Sequence, residues 1–276
     1  MLIQVFTPEE EIWLQFLGFL SAASPLDVRI DDVDNFIIES DKISSHYDEA
    51  INDSLMLGKR AERFLSHFLK HHPKYQILAE NIQIIDQKET IGELDFLIQH
   101  QEKGLLHLEL ACKFYLFNPS ASRKEEVWCG PNNRDFLSLK KQKLQEHQFP
   151  LLFDDRTRTV LRTLNIDPTA CKQTLLFQNF SFLPMGHKGE QDNVNTTNQA
   201  GVWLTETIFN SLSFDRELFF LPKKTNWLID PIYNREWHTF DSVKSSVLDH
   251  LEKKNSPMLW VLYPNGQTER WFVVWW

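Results

Sequence analysis

No run of about 18 apolar residues occurs anywhere in the 276-residue chain, so a membrane-spanning helix is excluded. Cysteine is scarce. Cys112, Cys129 and Cys171 are scattered, with neither the spacing of a metal site nor that of a disulfide framework. The opening residues, Met1 to Glu10, lack the basic start and small-residue cleavage site of a secretory signal, and a reducing cytoplasmic location is expected. There is no internal repeat and no low-complexity tract. Disorder is disfavoured as well, because 42% of the residues are hydrophobic and 13% aromatic.

Positive charge is also short, with a net charge of -9. Nucleic-acid binders ordinarily present a basic surface, since phosphate contacts dominate their affinity. A global balance can conceal a local patch. Two stretches are basic: Lys59 to Lys74, with Glu62 as its only acid, and the group Arg134, Lys140, Lys141 and Lys143. Each is either a solvated helix face or part of a phosphate-binding surface.

Between these stretches lie two apolar runs, Gly92-Glu93-Leu94-Asp95-Phe96-Leu97 and Leu105 to Lys113, separated by the polar break Gln99 to Gly104. They read as a β-hairpin. Side chains alternate faces along a strand. Glu93 and Asp95 therefore share one face of the first strand, and His107, Glu109, Ala111 and Lys113 share one face of the second. Pairing would bring an acid from each strand to a common surface. Two carboxylates held close repel unless a positive charge sits between them. Oxygen ligands of this kind suit Mg²⁺ or Mn²⁺. The alternative is a solvated sheet face that binds nothing.

Around the hairpin the pattern predicts helices over residues 8–22 and 55–71, a strand over 77–85, and a helix to His147 capped by Asn133 or Asp135. Short helices are expected within 24–50. Past Pro150, residues 151–170 are helix-compatible, 175–183 reads as a strand and 186–199 as a polar loop. A hairpin closes the chain, with Asn265-Gly266 suiting a type I′ turn. The C-terminal tryptophans, Trp203, Trp227, Trp237, Trp260, Trp271, Trp275 and Trp276, are expected in the core in preference to stacking on bases.

At about 100° per residue, Glu62 falls at the edge of its helix's apolar stripe, where a carboxylate needs a partner. Lys140 is bracketed by Phe136, Leu137, Leu144 and His147 and is directed inward. It either lays its stem along the core or supplies charge to the acids.

The Gly-Glu-hydrophobic-Asp strand followed by an acid-bearing strand resembles the core motif of the PD-(D/E)XK nuclease superfamily. The wider pattern, with Trp128-x-Gly130-Pro131-Asn132 and the helix after it, resembles a bacterial domain family of unknown function within that superfamily. The resemblance implies an α/β (α+β) fold: a small mixed β-sheet flanked by helices, with an N-terminal helical segment (1–54), a nuclease-like core (55–150) and a C-terminal extension packed on it (151–276). It implies Asp95, Glu109 and the Leu110 carbonyl as ligands of Mg²⁺ or Mn²⁺, with Glu62 acting through water. The motif's lysine would stand at position 111, which is Ala111. Lys113 is on the correct face, roughly 6–7 Å further along, and ranks ahead of Lys140 for its role. A metal-dependent nuclease acting on DNA or RNA, DNA first, is the leading expectation. The second is a degenerate nuclease fold that binds nucleic acid or a protein partner without cutting.

Overall fold

The computed structural model describes residues 6–22, 26, 28–39, 46–187 and 199–276. Helix α1 (Pro8–Leu20) starts with a capping box: Thr7 accepts from the Glu10 backbone N–H and Glu10 returns the bond to Thr7. Helix α2 (Leu57–His71) buries Leu57, Ala61, Phe64, Leu65 and Phe68, an i, i+3, i+4 stripe. At about 1.5–3 kcal/mol per fully buried large apolar side chain, this stripe anchors the helix more firmly than propensity does. It packs with Phe16 and Phe19 of α1 in one large core that also takes in Phe96, Leu108, Leu176 and Phe272 from the sheet.

Ten strands form one mixed sheet: β1 (Asp34–Asn35), β2 (Tyr75–Asp86), β3 (Glu89–His100), β4 (Gly104–Phe117), β5 (Trp128–Cys129), β6 (Lys172–Pro184), β7 (Gly201–Thr205), β8 (Leu218–Phe220), β9 (Met258–Leu262) and β10 (Thr268–Val274). Their order is β2-β3-β4-β6-β7-β10-β9-β8, with β1 joined to β6 and β5 to β4. β4, β6, β7 and β10 are parallel neighbours, and the β2-β3-β4 and β8-β9-β10 groups are antiparallel. The remaining helices are α3 (Leu137–Lys143), α4 (Phe149–Leu151), α5 (Asp155–Thr163), α6 (Glu206–Ser211) and α7 (Phe240–Glu252). Leu144 and Phe149, around the α3–α4 connection, cover Ala111 and Tyr115, while α6 and α7 cover β7 to β10. This is the mixed α+β sheet flanked by helices that the sequence predicts, and it continues through all three stretches of the chain.

Several local expectations are corrected. The hairpin strands are longer than the apolar runs, and their turn is confined to residues 101–103. Neither Asn133 nor Asp135 caps α3: the N-cap is Phe136, without a side-chain bond, and Asp135 is engaged by Lys113. The helix is not regular to His147, since residues Leu144–Gln148 form a π turn. The described part of 24–50 holds β1 and no helix. Most of the 186–199 loop, residues 188–198, lies outside the described residues.

The last hairpin is not type I′. Gly266 has φ 84 but Asn265 is not left-handed, and the Gly266 N–H donates to the Tyr263 carbonyl. Pro264 fixes its φ near −65° and so centres an ordinary turn on Pro264-Asn265, with glycine taking the left-handed position after it. The tryptophans divide: Trp203, Trp227, Trp260 and Trp271 are buried, whereas Trp237, Trp275 and Trp276 are half-buried.

The pairing of β3 with β4 ends at Phe96↔Leu108. Beyond it β4 keeps β6 on one side as far as Leu116, and on the other side is next paired by β5 at Leu116↔Cys129. The sheet opens between these points, at Asp95 and Glu109.

Candidate functional site

Where the ladder stops, side chains replace it. The Leu110 N–H donates to Asp95 Oδ2 (2.8 Å) and the Asp95 N–H to Glu109 Oε1 (3.4 Å). Asp95 is 8% exposed and Glu109 fully buried. The solvated-face alternative is therefore excluded. Burial, and then the neighbouring Glu109, push the Asp95 carboxyl up to about 8, while the Leu110 N–H and more distantly Lys140 pull it down. Among the described residues, Asp95 Oδ1 has no hydrogen-bond partner.

Glu109 is held on both oxygens. His107, two residues earlier on the same face and fully buried, lies 2.9 Å from Oε1 through Nε2. Its Nδ1 faces the Gln173 amide nitrogen at 3.3 Å, and that nitrogen also donates to the Phe149 carbonyl. Nδ1 must then accept, which leaves the Nε2 proton for Glu109. On the other side, the Gln148 amide donates to Glu109 Oε2 (2.7 Å), and Lys140 Nζ donates to Gln148 Oε1 (2.8 Å). A neutral amide thus stands between the buried carboxylate and the inward lysine. Burial lowers the Lys140 ammonium below its ordinary range. Lys113 lowers it further, against the pull of Glu109 and Asp95.

Lys113 is elsewhere. Its ammonium donates to Asp135 Oδ2 at 2.5 Å, on the loop before α3. Glu62 and Glu93 share the Lys59 ammonium, at 2.7 and 2.8 Å. The Asn81 amide, with its nitrogen turned toward the acids, bridges the same two oxygens. Asn81 lies between the Glu80↔Phe96 and Ile82↔Leu94 pairs of the β2–β3 register and takes a left-handed φ of 54. Burial raises the Glu62 carboxyl, and Glu93 and Glu109 add to this against Lys59. The first basic stretch is correspondingly no free patch. Lys59 is paired, and Arg60 is 2% exposed, donating to Gln15 and to the carbonyls of Asn52, Asp53 and Leu55.

A cleft of about 740 Å³ opens beside these groups. Lys59, Lys113, Arg134, Lys140 and Lys224 line it, against the acids Asp53, Glu62 and Asp135. Leu110, which bonds Asp95, forms part of its wall, and Asp95 and Glu109 themselves do not. The structure therefore gathers all the sequence-predicted residues around one cleft, with Glu62, Lys113 and Lys140 on the wall and the acid pair buried next to it.

Sequence reasoning missed Gln148, Gln173, Asn81 and Asp135 as partners. His107 alone carried a signal, by sharing the face of Glu109. Asp95 and Glu109 supply two carboxylates, the oxygen donors that a hard divalent cation takes. Among the described residues no group of three or more His, Cys, Asp or Glu side chains is placed to hold a metal, and both oxygens of Glu109 are taken. Among those residues, too, no helix is long and apolar enough to cross a membrane.

A family model described as "Domain of unknown function (DUF1853)" matches residues 21–274. No curated protein and no solved structure matches the chain.

Proposed function

We propose that this chain, which belongs to the DUF1853 family, is a metal-dependent nuclease that hydrolyses phosphodiester bonds, of the PD-(D/E)XK kind its hairpin resembles. One observation carries the reading: Asp95 and Glu109 meet where the sheet opens, buried beside a cleft with more cations than acids, and burial and then Glu109 push the Asp95 carboxyl up to about 8. Asp95, Glu109 and the Leu110 carbonyl would hold Mg²⁺ or Mn²⁺, with Glu62 reaching it through water. When bound, the ion supplies an activated water and a charge opposite the phosphate oxygens.

The chain's own groups do the rest. His107 holds the Glu109 carboxylate in one orientation. Gln148 holds Lys140 toward it, and a cation taking Glu109 Oε2 would have to displace the Gln148 amide. Lys140, whose charge acts on Asp95 and Glu109, would offset charge developing on the phosphate in place of Lys113. Lys113 is already committed to Asp135.

That commitment, with the full engagement of Glu109, favours a second reading: a degenerate nuclease fold that binds nucleic acid, or a protein partner, without cutting it. One experiment separates them. Purified protein is incubated with single- and double-stranded DNA and RNA, with Mg²⁺, Mn²⁺ or chelator. Metal-dependent cleavage is expected, abolished in Asp95→Ala. Lys140→Ala should lower the rate about a hundredfold, as loss of one transition-state donor does, and Lys113→Ala by less. Absence of cleavage under every metal would leave only the binding reading.

A further inference from the structure

The proposed site lies beside a cleft of small-ligand size. Asp95 and Glu109 are buried, and the cleft is the opening that adjoins them among the described residues. At about 740 Å³ the cleft is far too small to enclose a duplex. It is within the size range of small-ligand pockets, about 300–1,000 Å³, and so suits one or two nucleotides.

The walls differ in charge state. Lys59 and Lys113 are neutralised by carboxylates, and Lys140 is held by Gln148. Arg134 and Lys224 line the same cleft, are exposed, and have no ion-pair partner among the described residues. Arg134 comes from the loop before α3. Lys224 comes from the C-terminal half, where its ammonium sits 5.4 Å from the centre of the Trp227 ring. Two uncommitted cations on separate segments can each take one phosphate of a strand. Met56, 76% exposed, lines the cleft as well and offers a soft apolar surface. The faces of unpaired bases need such a surface, and those of stacked base pairs do not.

Resting on the nuclease reading for the identity of the site, we propose that the cleft takes unpaired polynucleotide, either single-stranded or a frayed end. Arg134 and Lys224 grip phosphates of that strand, and the C-terminal half thereby forms one wall of the substrate site.

The test is binding in chelator, where no cleavage intervenes. Fluorescence anisotropy is measured with labelled 12-mers of thymidine, of uridine and of a blunt hairpin duplex, over a salt series. The single strands are expected to bind at least tenfold tighter than the duplex. The 12-mers of thymidine and uridine separate DNA from RNA as the source of the strand. Arg134→Ala with Lys224→Ala should weaken strand binding at least tenfold. It should also reduce the salt slope by about 1.4, at about 0.7 for each phosphate no longer neutralised. Both side chains are exposed, so the melting temperature should stay within a degree or so of the parent, which separates a binding effect from misfolding. Equal or tighter duplex binding, an unaffected double variant, or no binding of any oligonucleotide would overturn the proposal. Strand-selective binding through these two residues without cleavage under any metal would support it while sinking the nuclease reading.

Discussion

Burial and the neighbouring Glu109 push the Asp95 carboxyl up to about 8, far above the ordinary carboxylate range. In the unfolded chain the same group loses its proton near pH 4. Between those values the folded state holds a proton that the unfolded state has released, so stability falls as pH rises. The contribution is fully present below about pH 4 and is lost once pH has passed about 8. In chelator, the melting temperature of the parent should therefore drop between pH 5 and pH 9, while Asp95→Asn, which cannot ionise, should lack this component. A difference of about 2 kcal/mol would separate the two by roughly 5 °C at the upper end. Parallel pH curves would mean that burial and Glu109 do not raise the Asp95 carboxyl.

Among the elements, α1 bears on the site indirectly. Its Gly18 lies so close to the 228–229 backbone that an added Cβ would stand 1.9 Å from the Leu228 carbonyl oxygen. Backbone cannot yield as a side-chain tip can, so Gly18→Ala must push the helix away. Gln15 of α1 binds both Arg60 and Asn226, next to Trp227 and Lys224 of the cleft wall. The substitution should cost roughly 1–3 kcal/mol by chemical denaturation. It should also weaken oligonucleotide binding, although it touches no cleft residue. Unchanged stability would show that α1 docks more loosely than the close approach implies. Arg60 does similar work at the start of α2, its guanidinium tying down the carbonyls of the 52–55 segment that leads into the cleft.

For the molecule as a whole, β6 is the decisive strand. It pairs with β4 from Leu106↔Lys172 to Leu116↔Phe182, and lies between β4 and β7. A fragment ending at residue 150 would lose β6. The length of β4 would become a bare edge, with Leu108, Leu110, Leu116 and their neighbours stripped of cover. Such a fragment should be insoluble or fail to show a cooperative unfolding transition, even though it carries Glu62, Asp95, Glu109 and Lys140. A soluble, cooperatively folding fragment would show that the acid-bearing part of the sheet stands on its own.

What the sequence determined by itself was local and periodic. Alternation along β3 and β4 assigned Asp95 and Glu109 to strands that could meet. The 3.6-residue stripe of α2 put Glu62 at its border, and the stripe of α3 turned Lys140 inward. The mixed sheet with flanking helices was what the resemblance of this order to the nuclease core implied. Tertiary structure decided which charges are free. The pairing of Lys113 with Asp135, 22 residues away, depends on the path of the loop before α3. The bridge from Lys140 through Gln148 to Glu109 depends on a π turn, which no helical wheel anticipates. The burial of Arg60, the seat of Lys224 on the cleft wall and the gap between β3 and β5 all arise from segments far apart in the chain. Periodicity reports which face a residue occupies. Its partner on that face is set by long-range packing, and the partner decides whether a charge is spent or available.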